Sequence, residues 1–60
     1  MKKTNKMATI AQLNRMTGNY THIERRVYED ENGRNFVKIN GDFTSVTWLE
    51  SHGRTVDIWF

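Results

Sequence analysis

Aromatic and cationic side chains are the residues of this sequence best suited to molecular recognition. Tyr28 and Phe36 lie on either side of an Asn-Gly turn, and Arg26 and Lys38 sit two positions beyond them. Aromatic rings beside cations suit nucleobase stacking, and they also form the energetic centres of many protein interfaces. A cross-strand aromatic pair with packed cation stems is the simpler structural interpretation of the same residues.

Residues that could support catalysis or bind a metal are sparse. Cysteine is absent, and the two histidines are far apart and lack paired carboxylates, so no metal-ligand spacing occurs. The acidic turn before Gly33 loosely matches a calcium loop, but alignment on that glycine puts Tyr28 at the first ligand position. Neither Ser45 nor Ser51 lies in a nucleophile motif, and no phosphate-binding glycine loop is present. We therefore expect no enzymatic activity, no metal site and no cofactor.

The Asn-Gly turn has two competing hairpin registers. A two-residue loop would mix apolar and polar side chains on both faces of the hairpin. A three-residue loop, with Gly33 in the left-handed bulge position, pairs Tyr28 with Phe36 and Val27 with Val37. Because a slip of one residue exchanges the two faces of a strand, the separation of aliphatic from aromatic residues favours the second register. The aliphatic face is then core.

The first part of the chain combines basic residues with a helical pattern. We predict that residues 1–6 are a flexible basic segment and that residues 7–60 form a single domain. Apolar residues recur at helical spacing over residues 7–17, and Gly18 supplies an end for that helix. The pattern predicts an amphipathic N-terminal helix that covers the sheet.

Two later segments fit more than one structure. Residues 21–30 suit either a second helix with a capping box or a strand, and the strand is favoured because it gives residues 36–39 a partner. Residues 44–52 suit either a further strand of a meander or a short helix, and the helix is favoured because its apolar spacing, cap and terminal glycine agree. Strict alternation over residues 54–60 predicts a strand.

These elements predict a small α+β single domain. Its N-terminal helix, β-hairpin, short helix and C-terminal strand would form a three-stranded, mainly antiparallel sheet. A chain of sixty residues buries only about 60% of the surface that it exposes when unfolded, so the core must be small. The absence of cysteine and of any long apolar run predicts a soluble cytoplasmic protein without a membrane segment.

Charge is unevenly distributed along the chain. Residues 1–26 hold six cations against one carboxylate, whereas residues 27–60 hold three cations against six carboxylates. Such asymmetry suggests a basic end that approaches phosphate groups or an acidic partner. The carboxylates of residues 29–31, next to the candidate surface, argue instead for a protein partner. The candidate nucleic-acid contacts are Lys2, Lys3, Lys6, Arg15, Arg25, Arg26 and Lys38.

The segment Trp-Leu-Glu-Ser-His-Gly at residues 48–53, followed by a short strand, resembles small accessory proteins of phages and mobile elements. The resemblance covers about a third of the chain and implies a context without assigning functional residues. We expect a non-enzymatic protein-interaction module, such as an inhibitor or accessory protein. The alternatives are a nucleic-acid-binding module and a homo-oligomer built through the strand from Arg54 to Phe60. The expected partner-binding residues are Arg26, Tyr28, Phe36, Lys38 and Trp59.

Overall fold

Five strands and one short helix account for most of the chain in the computed structural model, which describes all of residues 1–60. The elements are β1 (Lys2–Asn14), β2 (Asn19–Glu29), β3 (Asn35–Ile39), β4 (Asp42–Ser45), α1 (Val46–Ser51) and β5 (Arg54–Trp59). The strands form one antiparallel sheet in the order β4-β3-β2-β1-β5. The protein is therefore a small, mainly β domain, and the prediction of an α+β domain with a three-stranded sheet is wrong. No helix has the length and apolar composition needed to cross a membrane.

The predicted N-terminal helix over residues 7–17 is absent, because β1 occupies this part of the chain. Residues 2–6, predicted as a flexible segment, form the beginning of the same strand. β1 lies between two partners: it pairs with β2 on one side and with β5 on the other. Over residues 7–12 this double pairing satisfies the backbone of β1 from both sides, and it overrides the helical spacing of the apolar residues there.

Gly18, predicted to end the helix, belongs to the turn between β1 and β2. Its φ is 75°, and its N–H donates to the carbonyl oxygen of Asn14 at 2.8 Å. The side-chain oxygen of Asn14 accepts a second hydrogen bond from the Met16 N–H at 3.0 Å. A left-handed glycine closes a helix and closes a β-turn equally well, so the local signal did not distinguish them.

The predicted register of the hairpin from β2 to β3 is confirmed. Val27 pairs with Val37 and Tyr28 pairs with Phe36, and Gly33 has a φ of 76°. The Asp30 carboxylate accepts hydrogen bonds from two backbone N–H groups of the turn, each at 2.9 Å. The strand interpretation of residues 21–30 is confirmed by the same pairing.

The helix predicted within residues 44–52 is also confirmed. The Ser45 hydroxyl caps it by accepting from the Trp48 N–H at 3.0 Å. The preceding turn places Asn40 and Gly41 at positive φ, the conformation that an Asn-Gly pair adopts in a two-residue hairpin loop. C-terminal strand β5 is confirmed as well, but it lies at the edge of the sheet beside β1.

The core lies on one face of the sheet, under α1. Val46 and Leu49 project from the helix, and Leu49 is only 3% exposed. The sheet residues that share this core are Ala8, Ile10, Val27 and Val37, with Ile39 and Val56 packed at its margin. We call this the inner face. The opposite, outer face of the sheet is covered by no element of the chain.

β1 contains a bulge near its beginning, and the residues before the bulge still pair with β2. The register with β2 shifts between Lys3 and Met7. Thr4 organises this irregular stretch, because its hydroxyl donates to the Val27 carbonyl oxygen at 2.7 Å and accepts from the Lys6 N–H at 3.0 Å. One side chain thus satisfies two backbone groups that the bulge leaves without ladder partners.

Replacing Thr4 by valine is expected to lower the free energy of unfolding by about 1–2 kcal/mol, because both backbone groups lose their partner while side-chain volume is kept. Urea unfolding followed by circular dichroism measures the change. Thr55→Val is the matched control, since Thr55 is exposed on β5 and its hydroxyl makes no hydrogen bond in the protein. Equal stability of the two variants would show that the Thr4 hydroxyl does not stabilise the bulge.

Candidate functional site

The outer face carries a continuous group of aromatic and cationic side chains. Side chains alternate between the two faces of each strand, so the residues next to buried core positions point outward. The residues of this group come from β2, β3, β4 and β5, and α1 packs on the opposite, inner face. We call the group of Arg26, Tyr28, Phe36, Lys38, Phe43 and Trp59 the aromatic–basic face.

The β4 side of this face is held together by contacts between rings. Lys38 pairs with Phe43 across β3 and β4, and its ammonium group lies 5.6 Å from the centre of the Phe43 ring. The Tyr28 and Phe43 rings meet edge to face, with centroids 5.0 Å apart. This geometry fixes Phe43 by its edge contact and leaves it 43% exposed.

The β5 side ends in Trp59. Its indole N–H donates to the Thr9 hydroxyl at 2.9 Å, and this bond holds the ring against β1. Trp59 is opposite Met7, which in turn is opposite Arg26 on β2, so the register places all three in one row across the sheet. Trp59 is 42% exposed. The face therefore has one anchored, accessible ring at each end.

A cleft continues the aromatic surface around the free edge of β4. Phe36, Phe43 and Trp48 supply its apolar walls, with Thr44 and Ser45 between them. Trp48 is itself stacked on the His52 ring, with centroids 3.9 Å apart and planes 15° from parallel. The cleft is open and shallow, which suits a flat ring or a partner side chain better than an enclosed ligand.

The seven cations predicted to contact nucleic acid do not share one surface. Lys3, Arg26 and Lys38 lie on the outer face by register, and none of them forms a salt bridge. Lys6 lies on the inner side, where its ammonium group contacts the Glu29 carboxylate at 2.8 Å. The others are placed elsewhere by the register: Lys2 and Arg25 on the inner side, and Arg15 in the turn after β1.

Two acidic residues of the hairpin, Glu29 and Asp30, are engaged away from the aromatic–basic face, whereas the register places Glu24 and Asp57 on the outer face, two positions from Arg26 and Trp59. Glu29 lies on the inner side and is paired with Lys6, and the Asp30 carboxylate is occupied by backbone N–H groups of the turn. Their proximity in sequence had argued against a phosphate-binding surface. In the structure, that argument no longer applies to Glu29 and Asp30.

The five residues predicted to bind a partner all lie on the outer face: Arg26, Tyr28, Phe36, Lys38 and Trp59. Sequence reasoning missed Phe43 and Trp48. The signal for Phe43 was the Asn-Gly turn at residues 40–41, because a two-residue loop there pairs Lys38 with Phe43. Trp48 could have been placed from the Ser45 cap, which sets the start of α1.

No group of three or more His, Cys, Asp or Glu side chains comes together in a way that could hold a metal ion. Comparison with known proteins found no matching family model, no matching curated protein and no matching solved structure. What the fold and the site define is a small, mainly β domain with a helix on one face of its sheet and aromatic and basic residues on the other.

Proposed function

We propose that this protein is a non-enzymatic module that binds single-stranded nucleic acid on its aromatic–basic face. The observation that carries the proposal is the pair of accessible rings, Phe43 and Trp59, on one uncovered sheet face together with three cations that form no salt bridge and outnumber the two carboxylates of that face. Nucleobases stack on such rings whatever their sequence, and the phosphates between them need cations nearby.

The arrangement of charges supports this choice of partner. Arg26 and Lys38 flank the Tyr28–Phe36 pair, and Lys3 lies opposite Tyr28 on β1. A strand that runs across the sheet would bring its phosphates past all three cations. Base–aromatic stacking contributes about 1–3 kcal/mol for each base, so two or three stacked bases give a useful affinity even with few ionic contacts.

A protein partner is the second candidate, and the cleft formed by Phe36, Phe43 and Trp48 favours it. Such a cleft would accept an apolar or aromatic side chain, as the hot spots of protein interfaces do. An inhibitor or accessory protein of a phage or mobile element would act in this way. Under either function we place the protein in the cytoplasm, and self-association through the free edge of β5 stays a prediction.

A fluorescence-anisotropy titration with labelled single-stranded and duplex DNA tests the proposal. We expect micromolar or tighter binding of the single strand, weaker at higher salt because counterions are released from neutralised phosphates. Absence of single-strand binding even at low salt would overturn the proposal and leave the protein-partner candidate.

Two adjacent arginines provide a matched test of the charged part of the face. Arg26 lies on the outer face and Arg25 on the inner side, and both are exposed. Arg26→Gln is expected to weaken single-strand binding several-fold and to lower the salt slope by about 0.7, the value for one phosphate contact on a single strand. Arg25→Gln should leave both quantities unchanged, and an equal effect of the two substitutions would place the strand elsewhere.

A further inference from the structure

The end of the hairpin between β1 and β2 projects beyond the rest of the sheet. β5 accompanies β1 only as far as Gln12, which is opposite Arg54, and β3 pairs with β2 only from Val27 onward. Residues 13–20 therefore form a two-stranded ribbon without a third strand. Gln12 and Thr21 lie at its base, where Gln12 still pairs with Arg54, and every residue from 12 to 21 is exposed. We call residues 12–21 the arm. An isolated ribbon of this kind gains little stability from its own contacts, so its sequence is free to serve recognition.

The two sides of the arm differ in chemistry. On one side Gln12 is opposite Thr21 and Asn14 is opposite Asn19, so four hydrogen-bonding side chains stand together. On the other side Leu13 is opposite Tyr20. The arm contains no carboxylate, and its turn carries Arg15. We call the side with the four hydrogen-bonding residues the polar side.

Most hydrogen-bonding groups of the polar side are not used within the protein. The side-chain amides of Gln12 and Asn19 make no hydrogen bond to other residues, and Asn14 uses only its side-chain oxygen, which accepts from the backbone N–H of Met16. The Thr21 hydroxyl donates to the Gln12 carbonyl oxygen at 3.2 Å and keeps its own lone pairs free. The amides of Gln12 and Asn19 and the amino group of Asn14 are thus available to an external ligand.

We propose that the arm enters the major groove of B-form duplex DNA and reads base edges with its polar side. The groove is about 12 Å wide and admits a two-stranded β-ribbon, whose strands are about 4.8 Å apart. Asparagine and glutamine amides match the donor and acceptor that adenine presents there. Duplex RNA does not fit, because its major groove is too deep and narrow for side chains to read.

The charge of the arm suits this partner better than it suits a protein. Arg15 in the turn supplies a cation for a phosphate of the groove, and the absence of carboxylates from residues 12–21 removes repulsion. A contact between two copies of the chain would instead use the opposite side, where Leu13 and Tyr20 are 41% and 58% exposed. The inference concerns a different surface from the aromatic–basic face and does not depend on single-strand binding.

Selection from a pool of randomised duplex DNA, followed by anisotropy titration of the enriched duplex, tests the arm. The wild-type protein is expected to enrich a short adenine-containing motif. The double variant Gln12→Ala, Asn19→Ala should bind that duplex at least about fivefold more weakly, the smallest loss expected for one good base-edge contact, while its thermal midpoint is unchanged. Leu13→Ala, on the opposite side of the arm, should bind like the wild type.

The outcomes separate this inference from the proposed function. Retained single-strand binding in the double variant, with lost duplex binding, supports the arm as a distinct site. If the wild type binds duplex selectively but no single strand, the arm is supported and the proposed function fails. Failure to enrich any sequence, or equal duplex affinity of wild type and double variant, overturns the inference. Conversion of a wild-type dimer to a monomer by Leu13→Ala, with duplex affinity lost, also overturns it, because the arm would then act through self-association.

Discussion

Leu49→Ala is expected to lower the free energy of unfolding by about 2–5 kcal/mol, a large part of the total for a domain of this size. Leu49 is 3% exposed and packs with four other buried side chains that all lie on the sheet. No second layer can close over the vacancy, because α1 has six residues and supplies only one other buried side chain, Val46. Urea unfolding followed by circular dichroism measures the loss.

Glu50→Ala is the matched control for this experiment. Glu50 follows Leu49 on the same helix and is exposed, so its truncation leaves the core intact. We expect its effect on the free energy of unfolding to stay within about 0.5 kcal/mol, as for other surface substitutions. A loss below about 1 kcal/mol for Leu49→Ala would mean that α1 does not seal the inner face.

The double variant Phe43→Leu, Trp59→Leu is expected to weaken single-strand binding by at least about thirtyfold. Each substitution removes a flat ring but keeps a large apolar side chain, and stacking contributes about 1–3 kcal/mol for each base. Both rings are less than half exposed yet accessible, one at each end of the aromatic–basic face. Anisotropy titration measures the affinity. Thermal unfolding measures the stability lost with the Tyr28–Phe43 ring contact and the Trp59–Thr9 hydrogen bond.

Leucine was chosen because it distinguishes the two candidate functions. A face that binds protein through apolar contact keeps much of its affinity with leucine, whereas a face that stacks bases does not. Tyr20→Leu is the control, since Tyr20 is 58% exposed on the arm, outside the aromatic–basic face. Single-strand affinity within threefold of wild type for the double variant would contradict base stacking at Phe43 and Trp59.

α1 is the only element that packs on the sheet, so the outer face has no second layer on it. A sheet normally buries one face against another layer, and here α1 crosses from β4 at one edge to β5 at the other to provide that layer. Among residues 1–60, no element packs on the second face. The rings on that face must therefore be stabilised by one another, as Tyr28 and Phe43 are, or by a polar anchor such as Thr9.

Turns and caps could be predicted from the sequence because their chemistry is local. Asn-Gly pairs and isolated glycines adopt positive φ at low cost, and this fixed the register from Val27 to Val37 without knowledge of the rest of the fold. The Ser45 cap and the buried spacing of Val46 and Leu49 likewise defined α1. For the same reason, the four hairpin residues placed on the aromatic face in advance do share it: Arg26, Tyr28, Phe36 and Lys38.

Only the tertiary structure decided that the N-terminal part of the chain is a strand, and which residues make up the aromatic–basic face. β1 is a strand because it pairs with β2 and with β5, and its partner Val56, opposite Ile10, lies near the far end of the chain. The spacing of apolar residues within one segment contains no information about a partner strand as distant in sequence as β5. The sequence by itself thus determined the turns, the short helix and one hairpin. Pairing across the sheet decided that Phe43 and Trp59 share a face, that Glu29 does not, and that an exposed arm extends from β1 and β2.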